Sequence, residues 1–330
     1  MVGAVAMIGI LPPMGSTRIA AKEQPPALSP LPPAPALDPA KVQLGRSLFH
    51  DPMLSSRQGF ACSSCHDLDR GGTINVKRSV GYEGRMHEFN VPTLFNVGNN
   101  YRLGWRGKFT SLAAKTEQVL VDRNLMANDW PKLLPRLWAS PPYRGRFEAT
   151  YGRPADRDAV LDALVTFQRS LVTPNAAFDR FLAGEDSAIS PEQKRGYELF
   201  KTYGCVSCHQ GSNVGGNMFQ IFGVFHGPDA GGQASDATAP SETGHASLSD
   251  IANERNVYRV PSLRNVAATS PYFHDGRTQS LSDAVAVMAR SQLGRTLSED
   301  EIAAIATFLE SLTGEYDGKP IMVSPVEGRR

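Results

Sequence analysis

The chain has 330 residues, 41% hydrophobic and 20% charged, which suits two domains with ordinary apolar cores. Lys and Arg number 34 against 33 Asp and Glu, a net charge of +1, and so exclude a nucleic-acid binder that works through a basic excess. The longest apolar run, near residues 2–11, stops at Pro12-Pro13 and is too short to span a bilayer.

Residues 1–37 read as a signal and linker segment. An apolar stretch followed by Ile19-Ala20-Ala21 resembles the end of a signal peptide, although a charged start is missing. A Pro/Ala-rich extended linker follows over 23–38. Asp38-Pro39 then opens a helix carrying Val42, Leu44, Leu48 and Phe49. The motif Cys62-Ser-Ser-Cys65-His66 comes next, then Val91-Pro-Thr-Leu-Phe-Asn-Val97 and Trp105. Residues 157–171 form a largely apolar helix. Ser190-Pro191-Glu192-Gln193 is a capping box that starts another. Cys205-Val-Ser-Cys208-His209 repeats the first motif. Residues 226–256 are Gly/Ser/Ala/Asp-rich and read as a long loop, with His226 and His245 exposed. A helix follows Ser280-Leu281, and a second capping box at Ser298–Glu301 leads into Ile302, Ile305, Phe308 and Leu309.

A duplication organises these elements. Gly45-Arg-Ser-Leu48-Phe49 precedes the first CxxCH and Gly196-Tyr-Glu-Leu199-Phe200 the second. At a shift of 169, VPTLFNV matches Val260-Pro-Ser-Leu-Arg-Asn-Val266, Trp105 faces His274, and Ser111-Leu112 faces Ser280-Leu281. The expectation is an all-α chain of two cytochrome c-like domains, 38–180 and 181–315, with a tail over 316–330.

Two thiols with an adjacent imidazole at this spacing suit covalent c-type haem, the thiols forming thioethers and His66 and His209 binding iron. Zinc would want the two Cys pairs close together, and a redox pair would not need the histidine twice. Thioether-bound haem also implies assembly outside the cytoplasm. Met288 lies on the helix after Ser280-Leu281, either as core or as a sixth ligand to the second haem. Its counterpart, Val119, cannot ligate iron, so the pair is asymmetric. Trp105 is either a buried aromatic or an electronic bridge between haems.

The stretches LGRSLFHDPMLSS, RNVAATSPYFHDGR and AVAVMARSQLGRTLSEDEIAAIATFLESLTGE resemble the bacterial dihaem cytochrome c peroxidase and MauG family over nearly all of residues 38–315. The resemblance implies two cytochrome c-like domains with calcium between them. It implies that His66 serves the peroxidatic haem, that His209 and Met288 ligate the electron-entry haem, and that Trp105 relays between them. Asn90, Thr269 and Pro271 match the calcium ligands, and His274 lies in the matching PYFH motif. Met288, rather than tyrosine, resembles the peroxidases more than MauG. Three positions depart: Tyr82 stands where many relatives have a histidine, Leu125 replaces the distal glutamate, and Lys115 falls on a pocket glutamine that a three-residue shift would return to Gln118. Glu117 or His87 would have to substitute as acid–base groups, and Tyr82 would ligate, hydrogen-bond or pack. The implied function is periplasmic reduction of hydrogen peroxide with electrons from a small cytochrome c or cupredoxin, in a family where homodimers are frequent. The alternatives are MauG-like oxidation of a partner protein and a non-catalytic electron carrier or sensor.

Overall fold

A computed structural model describes residues 26–225, Gly244, Leu248 and residues 255–322. The expected signal segment and His226 and His245 lie outside the described residues. Among the described residues nine α-helices carry the fold: α1 Pro39–Phe49, α2 Leu112–Val121, α3 Trp130–Ala139, α4 Pro141–Tyr151, α5 Arg157–Ser170, α6 Ala177–Leu182, α7 Pro191–Thr202, α8 Leu281–Leu293 and α9 Glu299–Glu310. Two short antiparallel pairs complete the described residues, Phe219–Ile221 with Val257–Arg259 and Glu315–Tyr316 with Lys319–Pro320. The all-α expectation therefore holds, and no described helix is long and apolar enough to cross a membrane.

The caps form where the sequence puts them. The Asp38 carboxylate accepts from Ala40 N and Lys41 N at the start of α1, with Pro39 at the first helical position. Ser190–Gln193 and Ser298–Glu301 close reciprocal capping boxes on α7 and α9.

Each half is built on one helix crossing, made twice. Gly45 of α1 lies so close to α5 that a Cβ there would collide with the Ala163 carbonyl and Phe167. Gly196 of α7 stands in the same relation to Ala304 and Phe308 of α9. A side chain at either glycine would push the helices apart and open the aromatic layer behind them. Leu44, Leu48, Phe49, Phe147, Leu164 and Phe167 fill the first core. Phe178, Phe200, Val214, Ile305, Phe308 and Leu312 fill the second, with Phe178 and Phe308 edge-on at 5.0 Å between ring centres.

The halves interlock. The chain passes from the first core to the second between Leu171 and Phe178. The hairpin at 315–320 returns to the first half, where Tyr316 packs on Phe95, Arg46 donates to the Tyr316 hydroxyl at 2.8 Å, and Ile321 is buried. The Pro/Ala-rich stretch is extended and docked. Leu28 is 1% exposed in the second core, and Gly211 N donates to Ala27 O at 2.7 Å. The anchor is a buried ion pair between Arg264 and Asp179 at 2.7 Å. Arg264 also donates to the Ser212 and Ser29 carbonyls, and Leu31 N donates to Asp179.

One residue ties the repeats together. Asn96 and Asn265, equivalent in the duplication and both in the left-handed backbone region, each donate an amide N–H to the Thr173 hydroxyl, at 2.8 and 3.0 Å. All three are buried.

Candidate active site

In the second half, α7 ends in a tight turn that carries Cys205, Cys208 and His209. These open into a cavity of about 470 Å³. Met288 and Val285 of α8 line the same space, together with Phe222, Tyr258, and Trp105 and Asn90 from the first half. A largely apolar concavity of this size with a few polar groups is what a small-molecule or cofactor site requires. Thiols, imidazole and thioether thus meet at one site from two elements 80 residues apart.

Three of the motif thiols, Cys62, Cys65 and Cys205, are not activated. Burial pushes Cys205 up to about 11 and Cys62 up to about 12, and raises Cys65 as well. A redox or nucleophilic cysteine would sit in surroundings that lower its pKa. Among the described residues no group of three or more His, Cys, Asp or Glu side chains is gathered as a metal-ion site. The raised thiols weigh against the redox reading and fit uncharged thioether attachment.

The two motif histidines share one environment. His209 lines the cavity, and desolvation holds both imidazoles near 4. His66 Nδ1 pairs with the Gly72 carbonyl at 3.2 Å, and the Pro92 carbonyl also acts on the ring. Around His209 the corresponding carbonyls belong to Val214 and Pro261, although Nδ1 makes no well-formed hydrogen bond there. Pro92 and Pro261 are equivalent residues of the repeated VP motif. A carbonyl on Nδ1 fixes the tautomer that leaves Nε2 to bind metal. The Gly72 carbonyl thus supports the His66 imidazole, and the repeated VP motif lies beside both rings.

The junction carries the remaining candidates. Trp105 Nε1 donates to the Asn90 carbonyl at 2.9 Å, and Asn90 N donates to the His274 carbonyl at 2.7 Å. Trp105 and His274, opposite each other in the repeat, meet edge-on at 6.3 Å between ring centres, and His274 stacks on Tyr258 at 4.3 Å. Thr269 and Pro271 border the same cavity as Asn90. The Asn90 amide donates to the Val76 and Lys77 carbonyls, which turns its oxygen the other way.

On the His66 side the helix α2 decides which side chains face in. Lys115, Gln118 and Asp122 follow one face and its end. Lys115 Nζ donates to Gln118 Oε1 and Gln118 Nε2 to Asp122 Oδ2, both at 2.8 Å. Lys115 is close enough to His66 and His87 for its charge to lower both. His87 is depressed mainly by burial and lies 3.5 Å from the Asn124 amide. Glu117 points elsewhere: it accepts from Trp130 Nε1 at 2.9 Å and from Arg157 through both oxygens, and the Arg157 guanidinium holds its carboxyl below the usual range. Tyr82 packs edge-on against Phe60, donates to the Ser55 hydroxyl and accepts from Gly59 N. Leu125 is half-buried and Val119 packs on the first core.

Residues 39–187 match the family model of di-haem cytochrome c peroxidase, and residues 193–313 match that of cytochrome c. The chain is 34% identical over 303 residues to the cytochrome c551 peroxidase of Nitrosomonas europaea, covering 91% of this chain and 88% of the relative. The chain belongs to the di-haem cytochrome c peroxidase family. It is accordingly an oxidoreductase of the peroxidase type, with two c-type haems as the cofactors of its family. It is also 30% identical to the methylamine utilization protein MauG of Methylorubrum extorquens over 87% of this chain and 82% of that one. The crystal structure of a MauG-like protein associated with microbial copper homeostasis superposes with a TM-score of 0.75 at 23% identity, over 89% of this chain and 95% of that one, a likeness of fold.

Two groups in these surroundings escape the motif reading. Arg259 is buried beside the cavity, pushed down to about 10 by desolvation, and donates to the Gly104 and Val260 carbonyls. Its signal was its place directly before the VP motif. Lys115 stood out in sequence as a replaced glutamine, not as a buried cation.

Proposed function

We propose that the protein is a periplasmic peroxidase that takes electrons from a small cytochrome c or cupredoxin at the His209 end and reduces hydrogen peroxide to water at the His66 end. The observation that carries this reading is the continuity of one cavity from Cys205, His209 and Met288 to Trp105 and Asn90 of the first half. Haem c, when bound, would supply one-electron storage at each iron.

The chain's own residues do the rest. Cys62 and Cys65, and Cys205 and Cys208, would hold the two groups covalently. The Gly72 carbonyl orients the His66 imidazole. Met288 would offer the second group a soft thioether that favours the reduced state, whereas Val119, its counterpart in the repeat, has no ligating atom. The Arg259 guanidinium suits the carboxylates a haem carries. Trp105, anchored by its N–H to Asn90, bridges the halves. The Asn90 side chain with the Thr269 and Pro271 carbonyls suits calcium, a hard cation that takes oxygen donors and waters. Peroxide accepts two electrons and two protons and leaves as two waters.

MauG-like oxidation of a protein partner is the second reading, favoured by Tyr82, whose hydroxyl is engaged by Ser55 and Gly59 where many relatives carry an imidazole. The test is steady-state oxidation of a reduced small cytochrome c by peroxide with haem-loaded, calcium-replete protein. Rapid turnover is expected. Absence of turnover with a long-lived spectral change after peroxide would favour oxidation of a partner protein instead.

A further inference from the structure

A buried guanidinium destabilises a protein unless an anion meets it. Arg259 is 6% exposed and lines the cavity shared by Cys205, Cys208, His209 and Met288. Its Nε donates to the Gly104 carbonyl and its Nη1 to the Val260 carbonyl, each at 3.3 Å. A guanidinium carries five N–H groups, so most of its donors are left over. Among the described residues no carboxylate pairs with it. We propose that Arg259 holds an ionised carboxyl group of the second half's cofactor and raises that centre's affinity for an electron above that of the first, an inference that rests on the electron-entry reading above.

The duplication supplies the comparison. At the shift of 169, Arg259 stands opposite Asn90, as His274 stands opposite Trp105. The two backbones make the same contact across the junction. Asn90 N donates to the His274 carbonyl at 2.7 Å, and Arg259 N donates to the Trp105 carbonyl at 2.9 Å. The frame is thus built twice, and the side chain is what differs. The Asn90 amide is neutral and donates to the Val76 and Lys77 carbonyls. The Arg259 guanidinium is charged and borders the cavity. A carboxylate is a forked acceptor that a guanidinium meets with two parallel N–H groups, and haem c carries carboxylates. A positive charge held where water is excluded favours the added electron. Met288 against Val119 is one asymmetry between the centres, made by a ligating atom. Arg259 against Asn90 is a second, made by charge. Arg259 is also pinned to Gly104 and Trp105, so the residue that meets the carboxyl group holds the turn carrying the indole.

Redox titration of the haem-loaded protein at pH 7, followed by absorption spectroscopy, reads both midpoints without turnover. R259Q should weaken the electron affinity of the higher-potential centre about tenfold, a fall of about 59 mV, and move the lower midpoint less than half as far. R259K keeps the charge on a single ammonium and should restore most of the higher midpoint. Unchanged midpoints in R259Q would overturn the proposal. So would a larger shift in the lower midpoint than in the higher, or equal falls in R259K and R259Q, which would mark a packing residue. If R259Q does not load haem, resonance Raman spectra of R259K and wild type decide. The bending bands of the haem carboxylates should shift when one ammonium replaces the two-pronged guanidinium, and unshifted bands overturn the assignment. If the midpoints move as expected but wild type does not turn over peroxide with a reduced small cytochrome c, the peroxidase reading falls and the assignment of Arg259 stands. Rapid turnover with unmoved midpoints keeps the peroxidase reading and removes Arg259.

Discussion

Replacing Arg264 by Met tests what holds the leading segment onto the second half. The guanidinium is 1% exposed in the core and lowered by burial. It reaches Asp179 at 2.7 Å, Ser212 O at 2.8 Å and Ser29 O at 3.1 Å. Methionine fills most of the volume but strands the Asp179 carboxylate, which is itself largely buried. Removing one member of a buried pair costs about 3–5 kcal/mol. At a denaturant slope of about 3 kcal/mol per molar urea, the midpoint of the second half should drop by about 1–2 M. Replacing both partners, R264M with D179L, should cost clearly less than R264M alone, because no charge is left buried without its partner. Circular dichroism in urea measures the midpoints, and limited proteolysis near residues 26–37 reports release of the segment. A single variant within 1 kcal/mol of wild type, or a double variant worse than the single, would refute the reasoning.

Gly45→Ala and Gly196→Ala should each destabilise their own half by about 1–3 kcal/mol or more, since the new methyl meets a helix backbone carbonyl; urea midpoints of the two variants check it. Met288→Leu should fold with under about 1.5 kcal/mol lost and keep both covalent haems, yet lower the higher midpoint potential in a redox titration. Trp105→Phe leaves the Asn90 carbonyl without its donor, which should cost about 1–3 kcal/mol, and should slow turnover with donor protein while single-haem reduction is unaffected. Glu117→Gln should leave peroxide turnover unchanged, because its carboxylate serves Arg157 and Trp130; a large loss of turnover would return it to the site.

Local pattern carried most of the fold. Cap residues at Asp38, Ser190 and Ser298, apolar spacing along α5 and α9, and the repeated CxxCH and VP motifs depend on neighbours within a few positions, and they stand where the sequence puts them. The site was legible where both partners lay inside a motif, as with Cys205, Cys208 and His209, or where the repeat exposed an asymmetry, as with Met288 against Val119. What escaped depends on distant partners. Nothing near Gly45 announces Ala163, and nothing near Leu28 announces a pocket in the second core. On α2, Lys115 and Glu117 are two residues apart, so their side chains leave the helix about 200° apart, and tertiary packing alone decides which one turns toward His66.

Thr173 is a joint of which the chain has only one. Its hydroxyl oxygen has two lone pairs, and one amide from each repeat takes one of them. Copying a module duplicates its asparagine but not the atom between the copies. Of two halves made as separate polypeptides, the one without Thr173 would present a buried amide with no acceptor, at about 1–3 kcal/mol. The span between the two redox centres is therefore written into a single covalent chain and does not depend on how tightly two subunits associate.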